Sequence, residues 1–456
     1  MQKIDTQEKR IFWKKLTPLF FPIAFQQLMQ SLVSTSDAVM MGLIDQSSLS
    51  AVSLATQITF VSTLFIWGLT GAGNILAAQY WGKRSIGDVE QVFAIMVRPS
   101  AVVGSLFSIA ALFAPGLLMR IFTTDPLLIR LGSEYLRAVS FSYVLNCVNQ
   151  CYLCILRNTG HAFLASAISS TGVVVNILLN AVLIFGLMGF PALGITGAAI
   201  ATVLTRILEL VWILFETAKP GRVKLRTTYL FGKCDLSRDY WAHSTILTAN
   251  HLAWGLGITM GSVILGRLGS DAVAANSIAV VAKNLINCFC NGIANGGAIL
   301  VGNELGAGQL EQAKRYGNRV VNLALISGMI SCAVLVSLTP AISQLAELTP
   351  QAKEYLKFMI IVCGINLVGM ANNSAINAGI FSAGGDTRFG LICDTIVLWG
   401  IVVPLGLLAA FVWKLPIYVV YCIIYSDEII KLPAVWHHYK KYLWVRDLTR
   451  TREEHL

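Results

Sequence analysis

Leu16 to Ile44 reads LTPLFFPIAFQQLMQSLVSTSDAVMMGLI, and this first long apolar stretch carries a single acid, Asp37, in its second half. About 20 apolar residues cross a bilayer at ~1.5 Å per residue, so the stretch is long enough to span. Pro18 and Pro22 stand near its start; each removes a helix hydrogen bond and favours a bend. An aspartate at membrane depth costs at least about 2.5 to 3.5 kcal/mol, which makes a functional carboxyl the default reading. The plainer reading is that Asp37 lies close below the surface and merely reaches up to water. The run is too long for a cleavable signal and lacks a small-residue cleavage site behind a short core, so it is expected to stay as the first span.

Working outward, the whole chain has the composition of a membrane protein. Only 13% of its 456 residues are charged and 55% are hydrophobic, with a mean hydropathy of +0.68; a soluble domain is charged at about a quarter of its positions. Continuous apolar runs, in place of alternation, exclude a β-barrel, and lipid as solvent demands helices whose backbones are satisfied internally. The net charge of +10 reports topology, not a nucleic-acid partner, because the basic residues gather in loops on one side. All ten cysteines but Cys234 fall in apolar spans and read as small core residues without a disulfide pattern.

Apolar segments lie at roughly 16–44, 49–80, 93–118, 128–156, 162–187, 193–217, 242–269, 273–303, 317–346, 352–382, 389–413 and 415–436. The expected fold is therefore an all-α polytopic membrane protein of twelve transmembrane helices. Its domains are a cytoplasmic segment 1–15, an N-lobe 16–217, a connector 218–241, a C-lobe 242–436 and a tail 437–456. With twelve spans, about 25 basic residues, including Lys83, Arg84, Arg222, Lys314, Lys431 and Arg450, face one side against about 7 on the other. That asymmetry predicts cytoplasmic termini.

An internal repeat is the most informative pattern. A slide of 224 residues places Asp37-Ala-Val-Met-Met-Gly42 over Gly261-Ser-Val-Ile-Leu-Gly266 and runs ungapped for over 40 residues. Ala51 meets Ala275, Ser53 meets Ser277, Gly73 meets Gly297, and Gly82 meets Gly306. Further on, Tyr135-Leu136-Arg137 resembles Tyr355-Leu356-Lys357 after a small length change. Six spans per half make two pseudo-twofold-related bundles about an axis along the membrane normal, an architecture suited to a midline site and alternating access.

Four stretches carry a family resemblance: Asp37 to Gly42 with Leu49-Ser-Ala-Val-Ser-Leu54; Leu265-Gly-Arg-Leu-Gly269 with Ala272-Val-Ala-Ala-Asn-Ser-Ile278; Gly302-Asn-Glu-Leu-Gly-Ala-Gly308; and Gly384-Gly-Asp-Thr-Arg388. In this order and spacing the chain resembles the multidrug and toxic compound extrusion (MATE) transporters over nearly its whole length, and is closer to the DinF-like than to the NorM-like branch. The resemblance implies export of amphiphilic, often cationic compounds, driven by inward H⁺ or Na⁺. The family's cation site on the first helix falls on Asp37, its bending proline on Pro22, and a polar position before the acid on Gln30. The fifth-helix pair falls on Asn176 and Asn180, and a sixth-helix threonine on Thr202. Many members carry an acid where this chain has Asn180; a single carboxylate suits a proton better than Na⁺, since hard cations favour charged oxygen cages. The NorM-like branch has acids on its seventh and tenth helices, where this chain has Asn250-His-Leu-Ala-Trp254 and Ala371-Asn-Asn373. That leaves no NorM-like coupling pair in the second half.

The second half instead supplies His251, Trp254, Lys283, Asn287 and Asn373 as candidate substrate-cavity residues, with Gln30 from the first. A buried lysine either loses its proton or finds a partner: Lys283 is either an internal tie or a cavity charge that admits anionic cargo. Arg206 and Glu209, three apart, read as a local pair.

The expected function is a secondary antiporter exporting drugs, dyes or metabolites in exchange for H⁺, with Na⁺ the less favoured ion. The alternative is a flippase or exporter of lipid-linked or anionic substrates. No Gly-rich phosphate loop and no His-Glu-x-x-His or Gly-x-Ser-x-Gly motif occurs, so neither an ATP-driven pump nor an enzyme is expected. No cofactor, resident metal, nucleic acid or obligate protein partner is expected; the partners are a small molecule and the bilayer. The setting is a monomer in a bacterial plasma membrane, both termini cytoplasmic.

Overall fold

A computed structural model describes residues 2–346 and 348–449, and among them all side chains except those of residues 2–6 and Ala38. Arg450 and Arg452 of the tail lie outside the described residues. The long helices are α1 (Gln2–Gly42), α2 (Gln46–Gly82), α3 (Ile86–Phe113), α4 (Pro126–Asn158), α5 (Ala162–Phe185) and α6 (Gly194–Thr217) in the first half. The second half holds α7 (Ser237–Gly266), α8 (Ser270–Gly306) and α9 (Leu310–Ser337), then α10 (Pro350–Phe381) and α11 (Thr387–Val412). It ends with α12 (Ile417–Ile424) and α13 (Asp427–Tyr439). Among the described residues no strand occurs.

Among the described residues, nine helices are long and apolar enough to cross a membrane, α2 to α6 and α8 to α11. Two of the other expected spans fall short through their polar content and the last through its length. α1 starts in the charged amino-terminal segment, α7 carries Arg238, Asp239, His243, Asn250 and His251, and the last span is broken between α12 and α13, with Asp427, Glu428 and Lys431 just past the break. α1 runs as one helix through both Pro18 and Pro22.

The chain divides into two compact units. One comprises Gln26–Ala77 and Ser85–Thr248; the other comprises Met1–Phe25, Ala78–Arg84 and Ala249–Leu456. α1 is thus shared, and the boundary falls just after Pro22.

Inside each unit the 224-residue register recurs as geometry. α2 and α8 begin at 46 and 270, α3 and α9 at 86 and 310, α4 and α10 at 126 and 350. The last pair opens alike: Asp125 and Thr349 each cap the helix with a side-chain oxygen and each is followed by proline, the favoured start of a helix. Close approaches repeat too. Gly73 leaves room for Met96 and Gly297 for Val320; Gly104 packs on Val144 and Cys147, and Gly328 on Val368 and Ala371. Every pair is offset by 224, so the register holds through α4 and α10. The resemblance of Tyr135-Leu136-Arg137 to Tyr355-Leu356-Lys357, offset by 220, is one helical turn out of that register and arises from local composition. The cores match as well: Met41, Ala55 and Leu136 are buried in the first, Leu265, Ala279 and Ile360 in the second.

In lipid no hydrophobic drive holds helix to helix, so packing rests on such small-residue contacts. The outward faces are apolar: Val102, Leu106, Ile109 and Phe113 are exposed in a stripe along α3, spaced by four and three as one helix face requires. At the chain ends polar ties take over. Lys15 Nζ lies 2.5 Å from Glu304 Oε1 on α8 and Arg315 pairs with Glu8 at 3.1 Å. In the connector, Arg226 reaches Glu90 of α3 at 2.6 Å and Arg98 donates to the carbonyl of Gly232 at 2.6 Å.

Candidate functional site

α1, α4, α5 and α6 bring one polar cluster together in the amino-terminal unit. Asn180 Nδ2 donates to Asp37 Oδ1 at 2.6 Å and to Asn176 Oδ1 at 3.2 Å. The two asparagines are four apart on α5 and so share a face. Asn180 is only 1% exposed, and its own Oδ1 has no hydrogen-bond partner. A buried acceptor left open is uncommon and calls for an explanation. Asp37 itself is half-buried.

The surroundings of Asp37 are charged as well as polar. Arg206 on α6 acts on the Asp37 carboxyl electrostatically, as does Asp37 on Tyr135 of α4. Arg206 Nη1 lies 2.7 Å from Glu209 Oε2, whose side chain is 3% exposed. Asn149 of α4 donates to Glu209 Oε2 at 3.3 Å and to the Arg206 carbonyl at 3.0 Å. The expected Arg206–Glu209 pair is therefore present and forms the second layer of the Asp37 cluster. The carboxyl groups of Asp37 and Glu209 thus both lie within the influence of the Arg206 guanidinium. Glu209 fits only because Gly172 of α5 has no side chain; a Cβ there would run into its carboxylate.

The other expected residues are placed as follows. Thr202 lies on α6 and spends its hydroxyl on the Ala198 carbonyl at 3.0 Å, so it is not a ligand of Asp37 in this conformation. Gln30 is half-buried on α1 two turns before Asp37. Pro22 lies inside α1 near the unit boundary. His251 and Trp254 are half-buried, three apart on α7, while Lys283 and Asn287 are buried on α8. Lys283, 9% exposed, holds its Nζ over the Tyr425 ring at 4.9 Å, a cation–π contact that gains strength when desolvated. Asn373 of α10 donates to Glu428 Oε2 at 2.8 Å and to the Glu428 carbonyl at 2.7 Å.

That last contact opens a cluster the sequence reading missed. Lys431, counted above among the basic residues of one membrane side, is 3% exposed, and its Nζ lies 2.9 Å from Asp394, 3.0 Å from Glu428 and 3.5 Å from Asp427. The spacing of Asp427 and Glu428 to Lys431 is that of any solvated helix face. What buries it is Asp394, supplied by α11. His438 is half-buried, stacked on Phe389 with ring centres 3.9 Å apart and 2.7 Å from Asp386. Among the described residues no group of His, Cys, Asp and Glu is arranged to hold a metal ion.

The MatE family model matches residues 22–182 and again 246–408, two stretches that begin 224 residues apart and each carry one copy of the repeat. The chain belongs to the MatE family. Among curated relatives it is 21% identical over 444 residues to the uncharacterized transporter YisQ of Bacillus subtilis, covering 94% of this chain and 95% of that one. It is 26% identical over 416 residues to the probable multidrug resistance protein NorM of Rhizobium meliloti, with 87% and 85% covered. Among solved structures, a MOP superfamily transporter from Pyrococcus furiosus, described as having a binding pocket of reverse polarity, superposes with a TM-score of 0.86 at 18% identity over 95% of this chain and 96% of that one. MatE transporters have twelve transmembrane helices, so α1, α7 and the broken α12–α13 pair complete the set. The protein is a membrane-embedded transporter of the multidrug efflux family, not an enzyme.

Proposed function

We propose that this chain is an antiporter that exports amphiphilic small molecules in exchange for protons carried on Asp37, in the DinF-like manner, with Na⁺ not required. The observation that carries the reading is the Asp37–Asn180 contact. The Asn180 amide holds the ionised carboxyl, while its open Oδ1 waits for a donor that Asp37 supplies once it is protonated. Neutral Asp37 tolerates a dry pocket; ionised Asp37 needs Asn180 and Arg206. Protonation from outside lets α1 repack near Pro22, the cargo site loosens, and inward opening releases the proton.

One proton is enough for useful export. It yields ~2.3 kcal/mol across ~100 mV, and each pH unit adds ~1.36 kcal/mol. About 3 kcal/mol sustains a cargo gradient of order a hundredfold. Lys283 also bears on the cargo. Its charge faces Tyr425 and Asp427 inside the carboxy-terminal unit, so it does not provide the basic cavity that lipid-linked or anionic cargo would need. The basic asymmetry of the loops supports cytoplasmic termini in a bacterial plasma membrane.

The test is ethidium efflux from proteoliposomes under an imposed pH gradient or an imposed Na⁺ gradient. Efflux driven by the pH gradient alone is expected. Efflux driven by Na⁺ alone, at uniform pH, would overturn the ion assignment.

A further inference from the structure

The carboxy-terminal unit buries more charge than a structural tie requires. Asp394 of α11 and Asp427 and Glu428 of α13 converge on Lys431, and Lys283 of α8 acts on Asp427 electrostatically. Among the described residues, the titratable groups around this cluster include the thiols Cys363 and Cys393, from α10 and α11, and the phenols Tyr421 and Tyr425, from α12 and the break that follows it. None of these is a cation. Three carboxylates therefore face two ammoniums, and fully ionised the cluster keeps one negative charge inside an apolar bundle. Breaking or unbalancing a buried charge network costs several kcal/mol, so a compensating cation is called for. Lys431 Nζ lies within 3.5 Å of all three carboxylates.

Hydrogen bonding points independently to the same conclusion. Asn373, 3% exposed, gives its amide to Glu428 and leaves its buried Oδ1 without a partner. Ionised carboxylates are acceptors only, so a fully ionised cluster has acceptors in excess and donors in deficit. A single carboxylic O–H supplies the missing donor and removes the surplus charge together.

We propose that the Asp394–Asp427–Glu428–Lys431 cluster is a second proton-exchange site, holding one shared proton and separate from Asp37. Neither α7 nor α10 contributes a carboxylate to it; α11 and α13 do, around a lysine.

The test needs no substrate and does not depend on the role of Asp37. In the purified Asp37→Asn chain, infrared difference spectroscopy follows the carbonyl stretch of protonated carboxylic acids, with its shift in deuterium oxide, between about pH 5 and pH 9. One such band is expected in Asp37→Asn. It should vanish on adding Asp394→Asn, Asp427→Asn or Glu428→Gln, because removing any one acid balances the charge without a proton. Lys283→Met, which removes a cation instead, should double the band. Absence of the band in Asp37→Asn, its survival in the folded amide variants, or no gain in Lys283→Met would each overturn the proposal.

Discussion

Gly82 and Gly306 make the same contact reciprocally, each against the other's helix. A Cβ on Gly82 would strike the carbonyl of Asn303, and a Cβ on Gly306 would strike the carbonyl of Gln79. Since 79 and 303 are themselves offset by 224, the end of α2 crosses the end of α8 through a local two-fold axis, as self-complementary contacts do. Gln79 also donates to the Ala383 carbonyl at 2.7 Å, which ties the end of α2 to the segment that follows α10.

Backbone cannot give way here as a flexible side chain can. Gly82→Ala and Gly306→Ala should each destabilise the protein by about 1 to 3 kcal/mol, and by similar amounts. Gly87→Ala, where nothing lies within 4 Å of the added Cβ, should be near neutral. Thermal unfolding of the detergent-solubilised protein compares the three.

The second layer of the Asp37 site should matter without touching cargo. Gly172→Ala would push the Glu209 carboxylate off Asn149 and Arg206, and is expected to cost about 1 to 3 kcal/mol. Ethidium efflux should fall with it. Glu209→Gln in the same background relieves the charge but not the overlap, and should not restore stability.

Asn180 holds Asp37 by a hydrogen bond to a charged group, a type worth about 1.5 to 3 kcal/mol. Asn180→Ala should therefore lower pH-driven efflux about tenfold or more and also lower the unfolding temperature, since it leaves the Asp37 carboxyl without its donor. An unchanged efflux rate would separate Asn180 from the coupling step.

Outside the spans, Asp45 caps α2 by accepting from the Ser48 amide at 2.7 Å and the Ser48 hydroxyl at 2.5 Å. These bonds hold its carboxyl below its ordinary value of 3.8. A lowered folded value means the stabilisation is present above that pH and is lost as pH falls through the lowered value. Asp45→Ala should thus unfold earlier than native at neutral pH, and the difference should shrink once the pH drops below 3.8. Unfolding temperature measured against pH checks this.

How much was legible follows from which signals are local. The twelve spans, the 224-residue repeat and the family could be read because hydropathy, loop length and coincident glycines such as Gly73 and Gly297 are properties of the linear chain. Asp37 stood out as a lone acid in an apolar run. Lys431 did not, because Asp427, Glu428 and Lys431 sit at ordinary i, i+3 and i, i+4 spacings and their burial depends on Asp394, more than thirty residues upstream. The available signal was Asp394 itself, an acid within the apolar run 389–413. Lys283 was singled out correctly as buried, but its partner, the Tyr425 ring, comes from the break in the last span, which hydropathy smooths over.

The most direct measurement of the coupling claim is proton counterflow: vesicles loaded with ethidium and a pH-reporting dye, with efflux and lumenal pH followed together in the native chain and in Asp37→Asn. Native vesicles should lose ethidium and acidify in step, while Asp37→Asn vesicles should show neither movement. Efflux and acidification that persist at the native rate in well-folded Asp37→Asn would contradict a coupling proton carried on Asp37.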